Sequence, residues 1–162
     1  MGRSAIYPGS FDPVTYGHVD LIKRASHAFD EVVVAVAEST HKNTLFNTQE
    51  RLEMVKEVAK GIDNVRVESF SGLVIDYARK KKINVLIRGL RMISDFEYEL
   101  QMALTNRRLD DNIETVFLMP SEGCSFLSSK LIKEVVALGA DITSFVPDSV
   151  ARRLKKKFGQ KK

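Results

Sequence analysis

The sequence predicts one doubly wound α/β domain built on a five-stranded parallel sheet. Two observations carry this. Short apolar, β-branched runs alternate with segments of helical periodicity, the pattern of strand-helix-strand units. The run Val32-Val33-Val34-Ala35-Val36 is apolar throughout, as a strand covered on both faces must be.

The strands are expected at Ala5 to Tyr7, Val32 to Ala37, Val65 to Glu68, Val85 to Arg88 and Thr115 to Met119. Between the first two, Leu21, Ile22, Ala25, Ala28 and Phe29 share one helix face. A second helix is expected to start with Thr48 as its cap, with Leu52, Val55 and Val58 or Ala59 as its inner stripe. Ser71 is a candidate cap for a third. Ser94-Asp95-Phe96-Glu97 has the form of a capping box opening a helix that carries Phe96, Leu100 and Leu104. Ser128 to Leu138 reads as another, stopped by Gly139.

With 162 residues, 44% hydrophobic and 28% charged, the chain suits a single globular domain that buries about two thirds of its unfolded surface. The net charge of +4 is concentrated at the end: residues 149–162 hold seven of the 25 basic residues and no acidic one. We therefore divide the chain into a domain over 1–151 and a basic helix end and tail over 152–162. The charges lack the repeated aromatic interleaving of a nucleic-acid arm, and no nucleic-acid partner is expected. A single cysteine, Cys124, excludes an intramolecular disulfide and a cysteine-rich zinc site. The absence of a leader-like or membrane-length apolar run points to a cytoplasmic protein without a membrane partner.

In such folds ligands bind beyond the carboxyl ends of the strands. The first strand runs into Tyr7-Pro8-Gly9-Ser10-Phe11-Asp12-Pro13-Val14-Thr15-Tyr16-Gly17-His18, where a glycine, hydroxyls and a helix N-terminus can meet an anion. A tight loop with a surface histidine would read the same way. Lys42 follows the second strand and by itself would pass for a solvated lysine. The fourth strand delivers Arg88-Gly89-Leu90-Arg91, which fits an anion site or an ion-pair network equally. The fifth leads into Ser121-Glu122-Gly123-Cys124-Ser125-Phe126-Leu127-Ser128-Ser129-Lys130, a hydroxyl-rich approach to a helix N-terminus. Taken together, these four strand ends point to a phosphate-bearing ligand. Neither a Walker loop nor a Gly-x-Gly-x-x-Gly fingerprint is present.

Tyr7 to His18, Ile87-Arg88-Gly89-Leu90-Arg91, Asp95-Phe96-Glu97-Tyr98-Glu99, Phe117-Leu118-Met119-Pro120 and Ser125 to Ser129 resemble, in order and spacing, the bacterial phosphopantetheine adenylyltransferase family of the nucleotidyltransferase superfamily. The resemblance spans nearly the whole chain. It implies transfer of the adenylyl group of ATP to 4'-phosphopantetheine, giving dephospho-coenzyme A and pyrophosphate, by direct attack without a covalent enzyme intermediate. It also implies magnesium, a homohexamer and feedback inhibition by coenzyme A.

Carried over residue by residue, it gives His18, Lys42 and Arg91 catalytic roles. Ser10, Phe11, His18, Gly89, Leu90, Arg91, Glu99 and the segment Cys124, Ser125, Phe126, Leu127, Ser128, Ser129 and Lys130 would hold ATP. Ser10, Lys42, Val74 and Arg88 would hold phosphopantetheine, and no protein metal ligand is implied. The family often has threonine at position 10, an aromatic residue at 124 and serine at 130, where this chain has Ser10, Cys124 and Lys130. Competing expectations are a relative using nicotinate mononucleotide or an alcohol phosphate, and a non-catalytic RNA- or nucleotide-binding module.

Overall fold

The computed structural model describes residues 2–38 and 43–159, without the side chains of Ile93 and Ser94; Lys42 lies outside the described residues. Five parallel strands form the sheet: β1 (Ser4–Gly9), β2 (Glu31–Ala37), β3 (Val65–Phe70), β4 (Val85–Gly89) and β5 (Glu114–Leu118). Their order is β3-β2-β1-β4-β5. The chain thus steps outward from β1 to β3, then crosses back over β1 to β4, so β1 and β4 flank the point where winding reverses.

Helices α1 (Tyr16–Ala28) and α2 (Thr48–Ala59) make the first two crossovers; α3 (Val74–Lys81) and α4 (Ile93–Leu109) make the others. Because each crossover is right-handed, reversing direction transfers α3 and α4 to the opposite face. Two cores result. On one face, Leu21, Ile22 and Ala25 of α1 and Met54 and Val55 of α2 pack on Ala5, Val32, Val34, Val36 and Ile87. They are joined by Ile132 and Val136 of α5 (Ser129–Ala137) and by Val150, Ala151 and Leu154 of α6 (Asp148–Gly159). On the other, Ile75, Tyr77 and Ala78 of α3 cover Ile6, Val33, Ala35 and Leu86. β2 is buried along its interior from both sides, as its unbroken apolar run predicts.

Local expectations fail at three helix starts. Asn47, not Thr48, caps α2: its side chain accepts from Glu50 N while Glu50 reaches back to the Asn47 amide. Thr48 lies in the first turn, where its hydroxyl accepts from Arg51. Ser71 caps nothing, since α3 begins at Val74 after Leu73. Ser94 falls inside α4, which starts at Ile93 with Met92 in the cap position. Ser128 does cap α5, accepting from Leu131 N, and Gly139 follows that helix at φ +84. α4 leaves Phe96, Leu100 and Leu104 exposed, so their spacing marks an outer face and not an inner stripe. Among the described residues no helix is long and apolar enough to cross a membrane.

Candidate active site

A cleft of about 660 Å³ opens beyond the carboxyl ends of β1 and β4, at the winding reversal. Of the expected residues, Ser10, Phe11, His18, Val74, Arg88, Gly89, Arg91, Glu99, Leu127, Ser128, Ser129 and Lys130 line it. Leu90, Ser125 and Phe126 are not among its lining residues, and Cys124 lines a shallower depression with Tyr16, Asp20 and Lys23. Burial and nearby Asp20 push the Cys124 thiol up, which leaves it a poor nucleophile.

The first wall is the loop from β1 into α1. Thr15 caps α1 with a capping box in which histidine takes the usual place of an acid. The Thr15 amide donates to His18 Nδ1 at 3.0 Å, and the His18 amide donates to Thr15 Oγ1 at 3.4 Å. Nδ1 is therefore an acceptor, and in the neutral ring the proton resides on Nε2. Burial, then the charges of Arg91 and Arg88, lower the His18 pKa from 6.5 to about 4. The ring is thus a neutral donor at physiological pH.

Phe11 holds the turn from beneath. It is buried between Tyr7 and His18, with ring centroids 5.4 and 5.1 Å away, and has φ +50, a region that strains a residue with a Cβ. The glycine two residues earlier exists for this ring: a Cβ on Gly9 would lie 2.9 Å from Phe11.

The second wall comes from β4. Arg88 grips Glu99 with two hydrogen bonds, at 2.7 and 2.6 Å, and donates to the Pro8 carbonyl. Burial opposes its charge, but Glu99 outweighs burial and raises the Arg88 pKa. Arg91 donates to Asp95 at 3.2 Å and to the Leu127 carbonyl at 2.7 Å. Both arginines are thus ion-paired, as one reading of the sequence allowed, yet each keeps guanidinium protons uncommitted among the described residues and each faces the cleft. Gly89 separates them because α1 packs there: a Cβ would sit 2.5 Å from Leu21 Cδ1.

The third wall is the N-terminus of α5, with Ser128, Ser129 and Lys130. Ser129 Oγ donates to the Pro13 carbonyl, tying this helix start to the first loop. Two helix N-termini therefore converge on one cleft, with Arg88, Arg91, Lys130 and Lys133 beside them, an arrangement suited to several phosphates at once.

The fourth wall was not foreseen as a surface. Tyr98, Met102 and Asn106 recur every four residues along α4 and line the cleft with Val74, Phe70 and Leu86. This side is apolar and ends in an amide. Its signal was present in the spacing, but nothing in the sequence told which face of α4 meets the cleft.

Among the described residues no group of three or more His, Cys, Asp or Glu side chains could hold a metal ion. Glu99 is committed to Arg88, and Asp12 to Leu45 N, Phe46 N and Lys133. Among the described residues, the carboxylates that line the cleft are therefore engaged by the protein's own donors and do not fit a resident magnesium site.

The cytidylyltransferase-like family matches residues 6–135. A phosphopantetheine adenylyltransferase from Caldanaerobacter subterraneus subsp. tengcongensis is 54% identical over 156 residues, covering 96% of this chain and 98% of the relative. One from Dictyoglomus thermophilum is 52% identical, covering 97% and 96%. Among solved structures, a nicotinic acid mononucleotide adenylyltransferase from Plasmodium falciparum superposes with a TM-score of 0.70 at 14% identity, over 98% of this chain and 96% of that one. At that identity the likeness concerns the fold alone, whereas likeness above one half over nearly the full length does more: this chain belongs to the cytidylyltransferase-like family and, within it, to the phosphopantetheine adenylyltransferases.

Proposed function

We propose that this chain transfers the adenylyl group of ATP to 4'-phosphopantetheine, releasing pyrophosphate and dephospho-coenzyme A. The observation that carries the reading is the joining, in one cleft, of a cationic rim with two helix N-termini to an apolar wall from α3 and α4. The rim suits two phosphate-bearing substrates, and the apolar wall ending in Asn106 suits a slender acyl-amide arm better than a second nucleotide.

A phosphate oxygen of the acceptor attacks the α-phosphorus of ATP as the bond to the bridging oxygen breaks, and that oxygen leaves with pyrophosphate. No side chain is modified. His18 donates Nε2–H to the phosphoryl oxygens; Arg91 and Lys42 add charge where it builds up. Ser10, Phe11, Gly89, Glu99 and residues 127–130, which line the cleft, serve ATP, and Leu90 and residues 124–126, outside its lining, are assigned to ATP by the resemblance alone; Ser10, Lys42, Val74 and Arg88 serve the acceptor. Magnesium enters as part of the nucleotide substrate, held by its phosphates. The same acceptor pocket admits the pantetheine arm of coenzyme A, hence feedback inhibition. The exposed apolar side chains of α4 support a homo-oligomer; its being a hexamer and its place in the cytoplasm are taken from the resemblance and the sequence.

The deciding experiment incubates the protein with ATP and magnesium, with either phosphopantetheine or nicotinate mononucleotide, and follows pyrophosphate. Release with phosphopantetheine alone is expected; release with neither would end the enzymatic reading. His18→Ala should lower kcat by about 10²–10³-fold, the scale of one lost transition-state donor. ATP affinity, followed by calorimetry, should stay within about threefold if the donor acts in the transition state.

A further inference from the structure

Arg51 has no place in the chemistry above, yet it heads the fully buried side chains by size, at 1% exposure. Placing a guanidinium there is unfavourable by several kcal/mol unless its protons are matched. Among the described residues four of its five are matched, none by a carboxylate. Nε donates to the Phe46 carbonyl at 3.1 Å, Nη1 to the Ser10 and Ala37 carbonyls at 2.8 Å each, and Nη2 to Thr48 Oγ1 at 3.1 Å. Burial lowers its pKa while the more distant Asp12 and Glu38 partly restore it.

The three carbonyls belong to three separate stretches: the loop leaving β1, the end of β2 and the approach to α2. Asp12 closes the circle from the other side, accepting from the Leu45 and Phe46 amides at 2.9 Å and from Lys133 Nζ at 3.0 Å. Phe46 is thus held by its N–H through Asp12 and by its C=O through Arg51. Ala37 and Phe46 bracket the segment that supplies Asn43 and Thr44 to the cleft and that contains Lys42 in sequence. A lysine offers three donors on one point and no fork, so it would not serve three divergent carbonyls.

We propose that Arg51, with Asp12 closing the clamp, is a positioning residue: through the Ser10, Ala37 and Phe46 carbonyls it sets the spacing between the Ser10 loop, the end of β2 and the stretch Asn43 to Phe46, and with it the acceptor-phosphate side of the cleft. The proposal rests on the adenylyl-transfer reading. Ser10 also serves ATP, but among the described residues the clamp's hydrogen bonds reach no residue of α4 and, on α5, only Lys133, so the nucleotide side should feel its loss less.

The test compares full-length wild type, Arg51→Lys and Asp12→Asn, each at a temperature where circular dichroism shows it folded. The expected result is a fall of about 10- to 100-fold in kcat/KM for phosphopantetheine, the scale of a 1 Å misplacement, with KM for ATP within about twofold. Lower melting temperatures with both sets of constants unchanged would reduce the clamp to a structural role and overturn the proposal, as would equal rises in both KM values. Hydrogen exchange of the folded wild type gives a readout independent of the variants' folding and of activity. The Leu45 and Phe46 amides should be as protected as those of β2, and rapid exchange there would also overturn the clamp. Wild type that fails to turn over phosphopantetheine would instead end the reaction reading, leaving the clamp to stand or fall on exchange alone.

Discussion

His18 enters the cleft as a neutral donor because three local facts coincide: the Thr15 amide occupies Nδ1, Phe11 packs on the ring, and two guanidinium groups lie nearby. Its folded pKa, about 4, is below the ordinary 6.5, so across that window the unfolded chain takes up a proton that the folded chain refuses. This contribution leaves stability whole above pH 6.5 and erodes it as pH falls toward 4. Nuclear magnetic resonance of the His18 ring should therefore show a midpoint near 4 without ligand, moving upward when triphosphate brings negative charge to Nε2. A midpoint near 6.5 in the free protein would contradict the geometry. In urea titrations, part of the wild-type loss of stability between pH 7 and pH 5 should disappear in His18→Gln. Gly89 offers a second residue-level test, since its missing side chain is what lets Leu21 reach β4. Gly89→Ala should destabilise by about 1–3 kcal/mol through overpacking, read from urea denaturation, and shift both neighbouring arginines.

At the scale of elements, the helix starts show what a local pattern leaves undecided. Asn47 and Thr48 are both good caps, and Glu50 lies three residues after one and two after the other. The box closes on Asn47 because three is the spacing at which the acid reaches back to the cap amide. Asn47→Ala should cost about 1 kcal/mol, measurable by chemical denaturation, whereas Thr48→Ala should act through its lost bond to Arg51. Ser94 looked like a cap because serine, aspartate and glutamate followed in order; the chain enters α4 two residues earlier at Met92. The four-residue recurrence of Phe96, Leu100 and Leu104 was correctly helical, but periodicity specifies that a face exists and is silent on what covers it. The face of α4 that lines the cleft bears Tyr98, Met102 and Asn106, whose four-residue spacing marks a helix face without telling that it meets the cleft.

For the molecule as a whole, α6 binds the end of the chain to α2. Leu154 is fully buried, Arg153 pairs with Glu53 and Glu57, and Lys157 with Glu50. Removing residues 152–162 would therefore expose the core that Leu154 fills. We expect a loss of about 3 kcal/mol, which for a chain of this size lowers Tm by about 6–12 °C in calorimetry. Turnover measured well below that Tm should persist, because no residue of α6 lines the cleft.

By itself, the sequence determined the alternation of strands and helices and the double burial of β2, and it offered candidate phosphate-binding residues at four of the five strand ends, because periodicity and residue chemistry are local properties. It also carried, through the order and spacing of its motifs, the family to which the chain belongs. Only the tertiary structure decided that Arg88 pairs with Glu99, that Gly9 and Gly89 make room for Phe11 and Leu21, and that Arg51 joins three stretches from within. Those relations depend on the strand order β3-β2-β1-β4-β5, which brings residues 80 positions apart into hydrogen-bonding distance, as Arg88 meets the Pro8 carbonyl. A buried charge such as Arg51 is tolerated only when carbonyls from several elements arrive together, and that convergence exists nowhere before the chain has folded.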